Sequence, residues 1–274
     1  MVDRQRKVFE DARRRLPMYL PRVAAYLRRQ ADEGGFYREY YELKLLELFF
    51  MLERLRPRVI LELGGGSTTS VFAEYAARSP GTSVVSVDES GVYMEQTRTR
   101  LDPAVRDSVR FVQCDRQEER LGGQLVCCYR DTYRRLLEGK EIDVCYVDGP
   151  SAIAADDSEG VIPCVDCIKL LQDGYRIRCL AFDSRTLSVR CLRDHPLGMQ
   201  YDYVGPKFIK GESSLWWVRP VQRHSWFFLR SGALGLEPAP TLGSGPCAEM
   251  ALPGAPPSSR MGVSPDEKSG QGHE

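Results

Sequence analysis

Apolar positions along this chain follow two rhythms, short continuous runs and helical stripes. The run Val59, Ile60, Leu61, Leu63 breaks into Gly64-Gly65-Gly66 and the hydroxyl residues Ser67, Thr68, Thr69 and Ser70. Val71, Phe72, Tyr75 and Ala76 then return at helical spacing. The pattern predicts a strand, a tight glycine turn and a helix N-terminus, with Ser67 or Thr68 as the helix cap. That arrangement brings backbone close to a nucleotide-like ligand, because glycine leaves no Cβ in the turn or in the ligand's path. Further strands are predicted at 82–88, 109–114, 142–148 and 176–182, and helices at about 90–101, 160–172 and 185–194. Residues 116–141 read as irregular at first and then helical over 131–138. Alternation of this kind predicts an α/β protein with a parallel, doubly wound sheet.

The flanks differ. Residues 1–33 read as helical, and Pro17 and Pro21 are expected to interrupt them, giving two short segments. A second helical stretch, 38–55, carries Tyr41, Leu45, Leu48, Leu52 and Leu55 on one stripe, widened by Leu46, Phe49 and Phe50. At the other end, 200–204 and 214–219 are strand-like with no helix between them, which predicts an antiparallel hairpin at the sheet edge. Of Trp216 and Trp217, on opposite faces of that strand, one is expected in the core. The run Trp226 to Leu229 closes the globule. Beyond about residue 231 the composition turns to Gly, Pro, Ala and Ser, and the tail is expected to be disordered.

Composition narrows the function classes. With 274 residues and 42% apolar content the chain can bury a sizeable core. Lys+Arg and Asp+Glu are equal at 38 each, which argues against a dedicated nucleic-acid binder or a polybasic membrane anchor. The first thirty residues are locally basic, a feature more in keeping with a solvated face than with a cover over a ligand site. The charged opening MVDRQRKVFEDARRR does not read as a signal peptide, and no apolar run approaches spanning length, so a soluble, cytoplasmic protein is expected. The nine cysteines read as buried reduced thiols; Cys164 and Cys167 form a single CxxC without the second pair a structural zinc site needs.

Candidate chemistry lies in the acids at the predicted strand ends: Glu62, Asp88, Asp115, Asp148 and Asp183. In an open parallel sheet these ends share the edge where ligands bind. Asp88, twenty-four residues beyond Gly64, stands where a carboxylate accepts hydrogen bonds from a ribose diol.

Together, Glu62-Leu63-Gly64-Gly65-Gly66-Ser67-Thr68, Asp88, Cys114-Asp115 and Val147-Asp148-Gly149-Pro150 resemble the successive motifs of class I S-adenosylmethionine-dependent methyltransferases. The likeness is to the bacterial branch with an ELGxGxST turn and an (I/V)DGP motif, and it covers about residues 58–220. The resemblance implies a Rossmann-like sheet of seven strands in the order 3-2-1-4-5-7-6, ending in an antiparallel hairpin. It implies S-adenosyl-L-methionine as cofactor, with Gly64 and Gly66 admitting its methionine portion and Gly65 and Ser67 also among the cofactor-binding residues. Glu62 would shape the turn or hold the amino group through water. Asp88, with Glu89 beside it, would bind the ribose hydroxyls, and Asp115 would contact adenine. Asp148 would sit near the sulfonium methyl as base or orienting group, with Asp183 second.

Some methyltransferases of this class carry a divalent metal on the acid after the fourth strand and an Asp-Asn pair after the fifth. Asp148, Asp156, Asp157 and Asp183 offer hard oxygen atoms suited to magnesium or calcium. Here Ser184 stands where asparagine would, and no lysine follows Asp148 closely, so no metal ligand is assigned. Arg185 is expected to pair with Asp183.

Rival chemistries lack their residues. Thr69 stands where GxGxxG needs glycine or alanine, and Gly205-Pro206 breaks the helical turn a Tyr203–Lys207 dehydrogenase pair requires. No GxxxxGK[ST] and no GxSxG is present. The expected organisation is an N-terminal helical cover (1–57), a methyltransferase domain (58–230) and a tail (231–274). The expected activity is O-methylation of a small molecule or sugar-containing metabolite, without nucleic acid or membrane partners. The alternative is a non-catalytic binding or partner subunit that keeps the same fold.

Overall fold

Seven of the strands in the computed structural model form one sheet, and the loops at one edge of that sheet carry the candidate chemistry. The structure describes residues 2–34, 41–137, 139–155, 160–205, 207–208, 220–222 and 224–230. Asp156, Asp157, the 214–219 segment with its tryptophan pair, and the sequence beyond 230 lie outside the described residues.

The strands are β1 (Val59–Leu63), β2 (Ser83–Asp88), β3 (Arg110–Gln113), β4 (Arg116–Leu121), β5 (Gln124–Tyr129), β6 (Glu141–Val147), β7 (Arg176–Asp183), β8 (Tyr201–Val204), β9 (Lys207–Phe208), β10 (Pro220–Gln222) and β11 (His224–Leu229). The large sheet runs β3-β2-β1-β6-β7-β11-β8. Its first five members are parallel, and β11 is antiparallel to both β7 and β8. Numbered by its own strands in chain order, this is 3-2-1-4-5-7-6. β1, β6 and β7 are continuous apolar runs because helices or loops cover both faces, as parallel strands require.

The helices are α1 (Val2–Tyr19), α2 (Pro21–Asp32), α3 (Tyr41–Leu55), α4 (Ser67–Arg78), α5 (Gly91–Arg100), α6 (Pro103–Arg106), α7 (Asp166–Gln172) and α8 (Thr186–Asp194). Among the first three, α1 packs on α2 and α3, and both α2 and α3 pack on α4. The stripe expected on α3 is buried through Leu45, Leu48, Leu52 and Leu55, and the charged Glu42 and Lys44 are buried with it.

Five expectations need correction. Pro17 does not break the first helix; it sits in the last turn of α1, which continues to Tyr19. The break falls at Leu20 (φ −135°), held out of the helical region by Pro21. Residues 116–129 are not irregular: β4 and β5 pair as an antiparallel hairpin. Its two-residue turn is Gly122-Gly123, both at positive φ, as tight hairpin turns demand. A short 3-10 turn, Asp131–Leu136, stands where the helix over 131–138 was expected.

The helix expected at 160–172 begins only at Asp166, because the preceding residues are tied elsewhere. Val161 bridges Ile153, and Cys164 bridges Cys127. Finally, the terminal hairpin pairs β8 with β11, so the run Trp226–Leu229 is an internal strand of the sheet and not a closing segment. Its residues are buried on both faces, which explains the unbroken apolar pattern.

Candidate active site

The glycine turn after β1 is stapled from below. Glu62, fully buried, accepts hydrogen bonds from the hydroxyls of Thr68 (2.6 Å), Thr69 (2.7 Å) and Ser86 (2.6 Å). These bonds tie β1 to β2 and to the first turn of α4. Burial pushes the Glu62 carboxyl up to about 7, with the three hydroxyls pulling it back down. The helix cap is Gly66, not Ser67 or Thr68: Ser67 is already the first helical residue, the Thr68 hydroxyl donates to Glu62, and the Thr69 hydroxyl accepts the Gly66 N–H (2.8 Å) while donating to Glu62.

Gly64 has φ +91°, and a Cβ there would lie 2.4 Å from the Gly149 nitrogen and 2.6 Å from the Asp148 carbonyl carbon. The turns after β1 and β6 therefore touch backbone to backbone. This contact lies where the chain order of the sheet reverses, the crevice in which open α/β sheets bind ligands. Behind it, the Asp88 carboxylate accepts the Gly65 N–H (3.0 Å) and the Ser90 N–H (2.8 Å). Burial pushes this carboxyl up to about 6.

A cavity of about 570 Å³ opens at this edge. Its floor is Gly65, Gly66, Ser67 and Thr68; its walls are Asp148, the Asp183–Ser188 segment leading into α8, Tyr93 of α5, and Ala152, Val161 and Ile162 from the loop after β6. Gln30 of α2 with Tyr41 and Lys44 of α3 complete it, so the N-terminal helices contribute directly to the ligand-sized space.

The charges on these walls are paired. Lys44, 4% exposed, donates to Asp183 Oδ2 and lies 3.8 Å from Asp148 Oδ2. Burial disfavours its charge, but the two carboxylates outweigh that and hold the ammonium protonated. Arg185 lies with Nε 3.5 Å from Asp148 Oδ1, and its Nη1 donates to the Pro150 carbonyl (3.0 Å). The pairing expected between Arg185 and Asp183 is thus made with Asp148 instead. Burial raises the Asp148 carboxyl, and Lys44 and Arg185 pull it down.

The structure brings together Gly65, Gly66, Ser67, Asp148 and Asp183 on the cavity, with Glu62, Gly64 and Asp88 directly supporting it. It does not bring Asp115 there. That side chain is exposed and lies 3.6 Å from Arg130, because the chain turns outward at once into the β4–β5 hairpin. Glu89 is engaged by protein: it accepts the Tyr129 hydroxyl (2.8 Å) and the Ser151 N–H (2.9 Å). The hairpin also grips the loop after β6. Arg116 donates to the Ser151 (2.8 Å) and Ile153 (2.6 Å) carbonyls, and Glu118 accepts the Ala155 N–H (2.7 Å).

Cys164 and Cys167 are both buried, and the Cys164 thiol contacts the Gly149 carbonyl at 2.9 Å. Among the described residues, no group of three or more His, Cys, Asp or Glu side chains is placed to hold a metal ion.

Two features escaped the sequence reading. Lys44 lies three residues after Tyr41 and four before Leu48, which places it on the apolar stripe; a lysine there was the available signal. His224 of β11, fully buried, lies with Nδ1 3.1 Å from Glu47 Oε1 and Nε2 3.1 Å from the Tyr146 hydroxyl, beside Asp183 in strand register. No local pattern marked that contact.

No protein-family model matches the chain, and no curated protein matches it in sequence. Solved structures do match it. Cofactor-bound Rv0187 from MTB is 17% identical, with 76% of this chain and 89% of that one covered and a TM-score of 0.50. The O-methyltransferase from Bacillus cereus in complex with SAH is 13% identical, with coverages of 78% and 96% and a TM-score of 0.50. At these identities the likeness is one of architecture: this chain shares the Rossmann-like α/β fold of those structures.

Proposed function

We propose that this protein is an S-adenosylmethionine-dependent methyltransferase acting on an oxygen of a small molecule or sugar-containing metabolite. The observation that carries the reading is the backbone contact between the glycine turn and the Asp148-Gly149 turn. It puts the glycine turn and a strand-end carboxylate on one cavity at the switch point of the sheet. The Bacillus cereus O-methyltransferase that shares this architecture was solved in complex with SAH, which supports the same cofactor and reaction.

When bound, S-adenosylmethionine supplies a methyl group already activated by positive sulfur, so the protein's task is alignment. The floor residues Gly65, Gly66 and Ser67 suit its methionine portion. Asp88 suits the ribose hydroxyls, since each of its oxygens keeps a lone pair beyond the backbone N–H it accepts. As the C–S bond breaks and the C–O bond forms, the acceptor's hydroxyl proton must leave. Asp148, on the wall, accepts that hydrogen bond and orients the oxygen; burial holds its carboxyl above the ordinary range despite Lys44 and Arg185, which suits it to take the proton as well. Residues 1–57 act as a cover that narrows access to the cavity, and 58–230 form the catalytic domain.

One observation favours the second reading, a methyltransferase-fold binding or partner subunit. Glu89 is spent on Tyr129 and Ser151, and Asp115 faces away, so the adenosine side offers fewer free polar groups than the resemblance implies.

Equilibrium dialysis with methyl-labelled S-adenosylmethionine separates these assignments. Asp88→Asn is expected to weaken binding about tenfold or more, a loss of about 1.4 kcal/mol, while Asp148→Asn leaves it within about threefold. Equal, wild-type binding by both variants would place the cofactor elsewhere.

A further inference from the structure

The two carboxylates at the ends of β6 and β7 share one counter-ion, and that ion is a side chain. Lys44 Nζ donates to Asp183 Oδ2 and stands 3.8 Å from Asp148 Oδ2, fully enclosed in the wall. It arrives from α3, more than a hundred residues away in sequence from either carboxylate. Asp183 Oδ1 accepts the Ser184 hydroxyl (3.1 Å), and Asp148 Oδ1 faces Arg185 at 3.5 Å. Among the described residues, Lys44 thus lies between the two carboxylates and Arg185 stands beside Asp148.

Such a set fits a divalent metal poorly. Magnesium and calcium take six or more oxygen ligands at about 2.0–2.6 Å, drawn from carboxylates, carbonyls and water. The space between Asp148 and Asp183 already holds an ammonium group, and Ser184 turns its hydroxyl proton toward Asp183. A metal entering here would meet the buried Lys44 ammonium and the half-buried Arg185 guanidinium, and among the described residues no group of three acids is placed to offset them.

We propose that Lys44 is a positioning residue that serves as the built-in cation of this site, occupying the place where a divalent metal would bridge the two strand-end carboxylates. The site is therefore metal-independent, and Lys44 fixes the direction in which Asp148 faces the cavity. The ion-site part stands on geometry alone; only its consequence for turnover rests on the methyltransferase reading.

The test is Mn²⁺ binding to the full-length chain, read from the electron paramagnetic resonance signal of free Mn²⁺. Wild type and Lys44→Arg are expected to show no stoichiometric Mn²⁺ site. Lys44→Met, which removes the charge and keeps the length, is expected to bind one Mn²⁺ at least about tenfold more tightly than wild type. Lys44→Met/Asp148→Asn is expected to lose that gain.

A wild-type Mn²⁺ site abolished by Asp148→Asn would overturn the proposal, and this arm decides the matter even if Lys44→Met does not fold. A folded Lys44→Met with wild-type Mn²⁺ affinity would overturn it equally. Failure of the protein to bind S-adenosylmethionine analogues would defeat the functional reading and leave these outcomes unchanged.

Discussion

Replacing Gly64 by alanine tests the contact on which the site is built. Two costs apply. At φ +91° a Cβ meets the left-handed penalty of about 1–2 kcal/mol. It would also stand 2.4 Å from the Gly149 nitrogen and 2.6 Å from the Asp148 carbonyl carbon, and backbone of a neighbouring strand end cannot step aside as a side chain can. Overpacking of this kind costs about 1–3 kcal/mol. Alanine returns about 0.4–1 kcal/mol by restricting the unfolded chain. The net loss is about 2–4 kcal/mol, or about 4–15 °C in Tm for a domain of this size. Gly81 supplies the control: its φ is +87°, but a Cβ there meets nothing within 4 Å, so Gly81→Ala carries only the conformational cost. Thermal unfolding of both variants by calorimetry in one buffer gives the comparison. Gly64→Ala should melt several degrees below Gly81→Ala. Equal melting temperatures would refute the backbone contact between the two turns.

Other consequences follow from buried charge and from the hairpin. Glu62 has its carboxyl raised from 4.5 to about 7 by burial, so the folded state holds this proton more tightly than the unfolded chain. Its contribution to stability is complete below the unfolded value and is lost as pH rises through about 7, a decline of about 3 kcal/mol for a fully buried group. Urea unfolding between pH 5 and 8 should show this slope in wild type and a flatter profile in Glu62→Gln; parallel profiles would contradict it. Arg116→Ala removes the donors that hold the Ser151 and Ile153 carbonyls, and hydrogen exchange in the 151–155 segment should rise while that of β1 and β6 stays unchanged. Equal protection of the 151–155 segment in wild type and Arg116→Ala would mean that the hairpin does not restrain the rim.

Much of the frame was legible because parallel strands announce themselves as apolar runs ended by turn residues. β1, β2, β6 and β7 carry that signature, and the glycine turn after β1 is a local feature with a local cause. The misread segments depend on contacts made across the sequence. β4 reads as charged and irregular because only its pairing with β5 makes it a strand, although Gly122-Gly123 was a visible turn. β11 lies between β7 and β8, a position its own residues do not specify. The acids divide in the same way. Asp148 and Asp183 reach the cavity because strand ends place them there, while Asp115 and Glu89 are diverted by the hairpin that follows β3. Lys44 was hidden for the opposite reason: its helix was read correctly as buried, and a charge within that stripe gains meaning only from Asp148 and Asp183, which meet it in the fold.

The central claim, that this edge of the sheet holds S-adenosylmethionine, is tested most directly by calorimetric titration of the full-length protein with S-adenosylhomocysteine, with NAD as the control ligand. The account predicts saturable binding of S-adenosylhomocysteine, loss of that binding in Asp88→Ala, and no heat from NAD. A folded protein that gives no heat with S-adenosylhomocysteine, or that binds NAD in its place, would contradict it.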